Sequence, residues 1–188
     1  MTGLTVVLVS IVGTQLTDAL TDGLGVSLYW STLAFSIALG GTFAIWYARE
    51  RTLSIRSIVT LRREAFYWAA ILLTFALGTA AGDLATEGLG LGFALGTVVF
   101  GLLLGCCTLA YWLGSDPVLT FWVAYVLTRP LGASLGDLLS QSREHGGTGL
   151  GTVYTSLGFL TVIVVLVAYC TLRGGAHPAR RQTDGLTL

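Results

Sequence analysis

Apolar residues run through the chain in blocks of about 20, the length that crosses a bilayer core as a helix, and short polar or glycine-rich breaks separate the blocks. Applied along the sequence, that length predicts six spanning helices, at residues 4–20, 26–48, 65–85, 89–112, 118–139 and 150–172. A membrane β-barrel would need segments of about ten residues of alternating polarity, and the run from Gly158 to Ala168 (GFLTVIVVLVA) does not alternate. The predicted fold class is an all-α integral membrane protein.

Composition agrees. The chain is 54% hydrophobic and 11% charged, whereas a soluble domain is about 25% charged, so the surplus apolar surface has to face lipid. All ten basic residues are arginine, and eight of them fall in two places: Arg49, Arg51, Arg56, Arg62 and Arg63 between the second and third helices, and Arg173, Arg180 and Arg181 after the sixth. The loops at the other end carry Asp22, Glu87 and Glu144 against Arg143 alone. The bias of basic residues toward the cytoplasm predicts a cytoplasmic Arg-rich loop and two cytoplasmic termini. Trp46, Trp68, Trp112 and Trp122 fall near the arginine end and Trp30 near the other, where they are expected to anchor the helices at the interfaces. Cys106, Cys107 and Cys170 stand in apolar runs without ligand spacing and read as buried small hydrophobes. No basic stripe suggests a nucleic-acid partner; the expected partners are the lipid bilayer, a second copy of the chain, and a small cation or small solute.

Self-similarity changes this picture more than any single motif. Gly13 to Asp18 (GTQLTD), Gly78 to Asp83 (GTAAGD) and Gly132 to Asp137 (GASLGD) share one pattern, each in the second half of an odd-numbered helix. Trp68 and Trp122 precede the second and third glycines by ten positions, and Thr74 and Thr128 precede them by four. After each aspartate comes a glycine-rich turn, and the even-numbered helix then opens with Ser31, Gly96 and Thr155 in register. The third copy holds five additional residues within 140–146. The chain therefore divides into residues 1–48, a first repeat; 49–64, an Arg-rich loop; 65–113 and 114–172, the second and third repeats; and 173–188, a polar tail containing His177 and expected to be disordered. Two spans return the chain to the side it left, so the three two-helix repeats are parallel, unlike the inverted repeats of many transporters.

Residues 121–137 (FWVAYVLTRPLGASLGD), with Phe66, Tyr67, Trp68 and the segment Gly78 to Asp83, resemble a bacterial family of membrane-anchored proteins built from a tandem two-transmembrane-helix repeat of unknown function. The resemblance implies four repeats, each with a characteristic tryptophan. This chain has three, and the first lacks its tryptophan, which implies a first repeat missing upstream. The resemblance lends fold and topology, not chemistry.

The candidate chemistry is sparse. Gly78 with Gly82, Gly132 with Gly136, and Gly13 with Thr17 form small-xxx-small faces, which let helices approach closely in lipid; Gly92, Gly96, Gly101 and Gly105 extend that pattern into the fourth helix. Asp83 lies about 27 Å along its helix at 1.5 Å per residue, near the edge of the hydrocarbon, and Asp18 and Asp137 occupy equivalent depths. Three such carboxylates are expected to form either a shallow cation-attracting ring or three separate, solvated groups. Arg129 stands in mid-helix, where a charge costs at least about 2.5 kcal/mol, and Pro130 after it is expected to kink the helix and free a carbonyl that Thr128 satisfies in part. Arg129 reads equally as a solute-binding group or as a paired, inert lock. Asp18, Asp83, Asp137, Arg129 and Thr128 are thus the candidate solute-lining residues of a transporter or channel, with a non-transporting scaffold or sensor subunit as the alternative. No catalytic set, cofactor motif or metal-ligand motif is visible, so an enzyme is not expected.

Overall fold

The computed structural model describes residues 3–55 and 60–174; Arg56, the polar tail with His177, and Arg180 and Arg181 lie outside them. Six helices account for most of the described chain: α1 (Gly3–Asp18), α2 (Leu28–Glu50), α3 (Leu61–Asp83), α4 (Gly92–Trp112), α5 (Pro117–Ser140) and α6 (Thr152–Gly174). All six are long and apolar enough to cross a membrane. Backbone polar groups in hydrocarbon must be satisfied within the protein, and a helix satisfies most of them from its own segment.

The helix ends are set by local chemistry. Asp116 caps α5, its Oδ1 accepting from the backbone N–H of Val118 and Leu119 at 3.0 and 2.8 Å, with Pro117 at the first helical position, where a missing N–H costs nothing. Arg51 closes α2 in the left-handed region at φ 55°. Arg63 and Glu50, 2.6 Å apart, tie the end of α2 to the start of α3. At the opposite end α1 and α3 finish in the same way: each continues into one wide π-helical turn, Ala19–Gly23 and Leu84–Gly88. Leu24 N–H then donates to the Ala19 carbonyl at 3.1 Å, and Leu89 N–H to that of Leu84 at 2.8 Å. Gly25 and Gly90 follow with φ of 66° and 67°, a conformation that glycine adopts without strain. The third copy departs where its insertion lies. α5 runs on to Ser140, and the loop is pinned by Thr148, whose N–H and hydroxyl donate to the carbonyls of Leu138 and Leu139 at 2.7 and 3.0 Å.

Packing does not follow the repeat boundaries. α3 is central, with α1, α2 and α5 against it, and each of α2 and α4 packs chiefly on the odd helix of the following repeat, α3 and α5 respectively. The odd helices meet through glycine in a way that recurs. A Cβ on Gly13 of α1 would stand 2.5 Å from the Phe75 Cβ and 3.1 Å from the Leu72 carbonyl oxygen, and a Cβ on Gly78 of α3 would collide with the Arg129 Cβ. Phe75 and Arg129 each stand three positions before the motif glycine of their own repeat. Each glycine thus seats the equivalent residue of the next copy. Water supplies no hydrophobic drive between helices in lipid, so such close approach is the main source of attraction. The Thr17 hydroxyl adds a hydrogen bond across the α1–α3 contact, donating to the Ala76 carbonyl at 2.9 Å.

Several expectations change. Gly132 and Gly136 have nothing within 4 Å of where a Cβ would stand, so among the described residues no helix packs closely on this side of α5. In α4, Gly96 is a packing position, 3.2 Å from the Ser134 hydroxyl, while Gly92 and Gly105 meet nothing. Trp46 and Trp122, expected at the interface, are 1% and 3% exposed. They form an interior aromatic cluster, with ring centroids 5.9 Å apart, Phe43 4.9 Å from Trp122, and the Trp122 indole N–H donating to the Leu53 carbonyl at 3.0 Å. Three helix ends converge there and bury what a lone helix would leave at the headgroups. Trp30 and Trp112 remain outward-facing. Cys106 and Cys170 also face outward instead of inward.

Gly78→Leu is expected to cost about 1–3 kcal/mol by overpacking the α3–α5 contact, whereas Gly105→Leu, in open space, leaves stability unchanged. Thermal unfolding of the two variants in detergent checks this.

Candidate functional site

The repeat packing carries the three aspartates to one end and leaves a gap between α1 and α5 in front of α3. A cavity of about 450 Å³ fills that gap, lined by Thr14 and Asp18 from α1, Phe75, Thr79 and Asp83 from α3, and Thr128, Arg129, Gly132, Ala133 and Asp137 from α5. All five candidate solute-lining residues named from the sequence therefore border one space. At its acidic end the cavity adjoins a more polar recess of about 730 Å³ that shares Asp18, Asp83 and Asp137 and adds Asp22 and Glu87. Asp18 and Asp83 end the regular part of their helices, while Asp137 lies inside α5, so equivalent depth is reached through two different local structures.

Arg129 is placed from both sides. Seating its Cβ on Gly78 fixes the start of the side chain. The guanidinium carbon then stands 3.6 Å from the centre of the Phe75 ring and 4.8 Å from that of Tyr125, and Nη2 donates to the Tyr125 hydroxyl at 2.7 Å. Aromatic faces attract a desolvated cation by about 2 kcal/mol or more, which offsets much of the cost of holding this charge within the membrane. Neither a carboxylate partner nor a full set of acceptors is present: among the described residues no carboxylate lies within 4 Å of the guanidinium, and its buried Nε has no hydrogen-bond partner. The paired-lock reading does not describe this geometry.

Pro130 is buried against Gly82, its Cα 3.6 Å from where a Cβ there would stand. α5 continues through it without interruption. The Thr128 hydroxyl donates to the Tyr125 carbonyl at 2.7 Å, not to that of Val126, the carbonyl that the missing proline N–H frees. The part expected of Thr128 in mending the helix is therefore not the one it plays; its side chain is exposed on the cavity side of α5.

Phe75, Tyr125, Thr14 and Thr79 were not among the residues singled out from the sequence. The sequence held a signal for two of them: Phe75 shares the repeat register of Arg129, and Tyr125 lies one helical turn before Arg129. The remaining features carry less. His145 is exposed in the third loop and bonds Ser142 at 2.8 Å. Two grooves at the arginine end are lined mostly by apolar side chains such as Phe43, Val118 and Phe121, and the Asp116 carboxylate near them is engaged in capping α5. Among the described residues no three carboxylate, histidine or cysteine side chains converge tightly enough to coordinate a metal ion.

Tyr125→Phe keeps the ring and removes the acceptor, and is expected to destabilise the fold by about 1.5–3 kcal/mol, the range for a hydrogen bond to a charged group. The control Tyr111→Phe, on an outward-facing side chain, should change the unfolding midpoint little.

A family described as "Repeat of Unknown Function (DUF347)" matches residues 4–52, 66–115 and 120–175, one match for each two-helix unit. No curated protein and no solved structure matches the chain. The coverage, the recurrence of the match, and the three equivalent glycine-to-aspartate segments together make this chain a member of the DUF347 repeat family, a multi-pass membrane protein with three copies of the repeat.

Proposed function

We propose that the protein moves a small cation or small solute across the bacterial inner membrane, as a transporter or channel and not as an enzyme, with the acidic end facing outward and the arginine end and both termini in the cytoplasm. The observation that carries this reading is the single cavity collecting Asp18, Asp83, Asp137, Arg129 and Thr128. Its volume of about 450 Å³ lies within the range of small-molecule pockets. The orientation follows from the arginines.

The division of labour follows from charge and depth. The three carboxylates, extended by Asp22 and Glu87 in the adjoining recess, hold a negative potential at the mouth and concentrate cations or the ammonium group of a zwitterion there. Two opposite unit charges 4 Å apart attract by about 4 kcal/mol at the effective dielectric of a protein surface, enough to select without trapping. Arg129, on the aromatic pair of Phe75 and Tyr125, opposes a bare cation travelling deeper. A solute that also carries an anionic or carbonyl oxygen is attracted by the positive charge of Arg129. Thr14 and Thr79 supply hydroxyls between the two charged zones, and Thr128 lines the cavity beside Arg129.

Proteoliposomes carrying Asp18→Asn, Asp83→Asn and Asp137→Asn together are expected to lose at least tenfold in uptake across a panel of monovalent cations and small zwitterions, with an unfolding midpoint close to that of the parent. Unchanged uptake would remove the carboxylates from the function and favour a scaffold or sensor subunit.

A further inference from the structure

The larger of the two grooves at the arginine end lies apart from the aspartate cavity and takes no part in the function proposed above. It runs between α2 and α5, both of which pack on α3, and has a volume of about 720 Å³. Phe43 of α2 and Val118, Trp122, Val126 and Leu127 of α5 give it apolar walls, and Phe43 and Trp122 meet between the two helices with ring centroids 4.9 Å apart. From Val118 to Leu127 the helix rises about 14 Å at 1.5 Å per residue, close to half of a ~30 Å hydrocarbon core. The groove therefore has the depth of one leaflet, and outward-facing Leu119 and Val123 border it on the lipid side. An acyl chain matches a slot of that depth and polarity.

The mouth of the groove carries its only two charged lining residues, one of each sign. Arg51 follows the last turn of α2, and Asp116 precedes the first turn of α5. The bond from the Trp122 indole to the Leu53 carbonyl, 3.0 Å, holds the segment after α2 against α5. Arg51 is the one non-glycine with a positive φ among the described residues. Glycine is the usual occupant of that position at a helix end, because a side chain strains the left-handed conformation, yet here the position carries the guanidinium of the groove. Among the described residues Arg51 makes no ion pair, whereas Arg63 is held by Glu50. Asp116 uses one oxygen for capping: Oδ1 accepts from both Val118 and Leu119, and Oδ2 is left for another donor on an exposed side chain. The neighbouring groove, between α4 and α5, is of similar size at about 610 Å³ and has no charged residue in its lining. Only the first groove thus joins an apolar slot to an unpaired cation and a half-used carboxylate.

We propose that this groove binds a phospholipid with a phosphoethanolamine headgroup, taken from the leaflet at the arginine end. One acyl chain lies between α2 and α5, the phosphate meets the Arg51 guanidinium, a strong pairing for a diester oxygen, and the ammonium donates to the Asp116 carboxylate. A glycerol headgroup offers the carboxylate no cation, and a choline headgroup offers it one that cannot donate a hydrogen bond, so the pair of charges selects among lipids that share the same chains. This binding stands independently of whether the aspartate cavity conducts.

Native mass spectrometry of the full chain in detergent, titrated with phosphatidylethanolamine, phosphatidylglycerol and phosphatidylcholine of matched chains, tests it. One phosphatidylethanolamine is expected to be retained at least tenfold more tightly than either other lipid. Arg51→Gly and Arg51→Gln should each abolish that retention, and Arg51→Gly, which relieves the strained backbone, should leave the unfolding midpoint equal to or above the parent's. Asp116→Asn keeps the helix cap and is expected to erase the preference for phosphatidylethanolamine over phosphatidylglycerol. Val123→Trp, which fills the groove, should weaken all three lipids, while Arg62→Gln, which removes an exposed arginine at the same end, leaves binding unchanged. Equal retention of the three lipids, a preference for phosphatidylglycerol, or equal losses in Arg51→Gln and Arg62→Gln overturns the proposal.

Discussion

The structure depends on one constraint: in lipid, helices gain from each other only what close packing and polar contacts provide, so the backbone must be able to come near. Glycine at the motif position meets that need, and because the motif recurs, so does the contact. Gly13 receives Phe75 and Gly78 receives Arg129, two instances of one joint that sets the positions of α1, α3 and α5. Even helices are then placed on the following odd helix, which makes the two-helix repeat a unit of sequence more than a unit of packing.

From that joint the candidate site follows. Because Arg129 occupies the position Phe75 occupies one repeat earlier, seating it on Gly78 brings its guanidinium over the Phe75 ring. The repeat thus supplies both the charge and the surface that makes the charge tolerable. The same superposition of copies delivers three aspartates to one end, where they share a space with the arginine but do not neutralise it. A carboxylate mouth above an aromatic-held cation is a polarised cavity, acidic outside and basic within, and it exists because the copies are parallel. Inverted copies would have put aspartates at both ends.

Much of this could be read from the sequence because it is written in periodicities. Six helices follow from the length of apolar blocks, and the equivalence of Asp18, Asp83 and Asp137 follows from register. What could not be read is which helix neighbours which. Gly132 and Gly136 carry the same local signature as Gly78 and Gly82, yet only the latter pair has a helix in front of it. Trp46 and Trp122 stand at helix ends, where tryptophan is ordinarily an interfacial anchor, but three ends converge and enclose them. The anchoring of Arg129 by Phe75 and Tyr125 was marked only by register and helical spacing, since one partner comes from another repeat and the other is an aromatic that no charge-based reading selects.

The parallel repeats build one cavity that holds the three aspartates at its mouth and Arg129 deeper inside. Labelling with a membrane-impermeant thiol reagent reads this directly, with cysteine introduced singly at Asp18, Asp83, Asp137 and Arg129 in a cysteine-free background, and at Ala80, which is fully buried, as a control. The three aspartate positions are expected to react from one side of the membrane only, position 129 to react from that same side more slowly, and position 80 to stay unlabelled. Reaction of the aspartate positions from opposite sides, or a position 129 that responds only to lipid-soluble reagents, would contradict it.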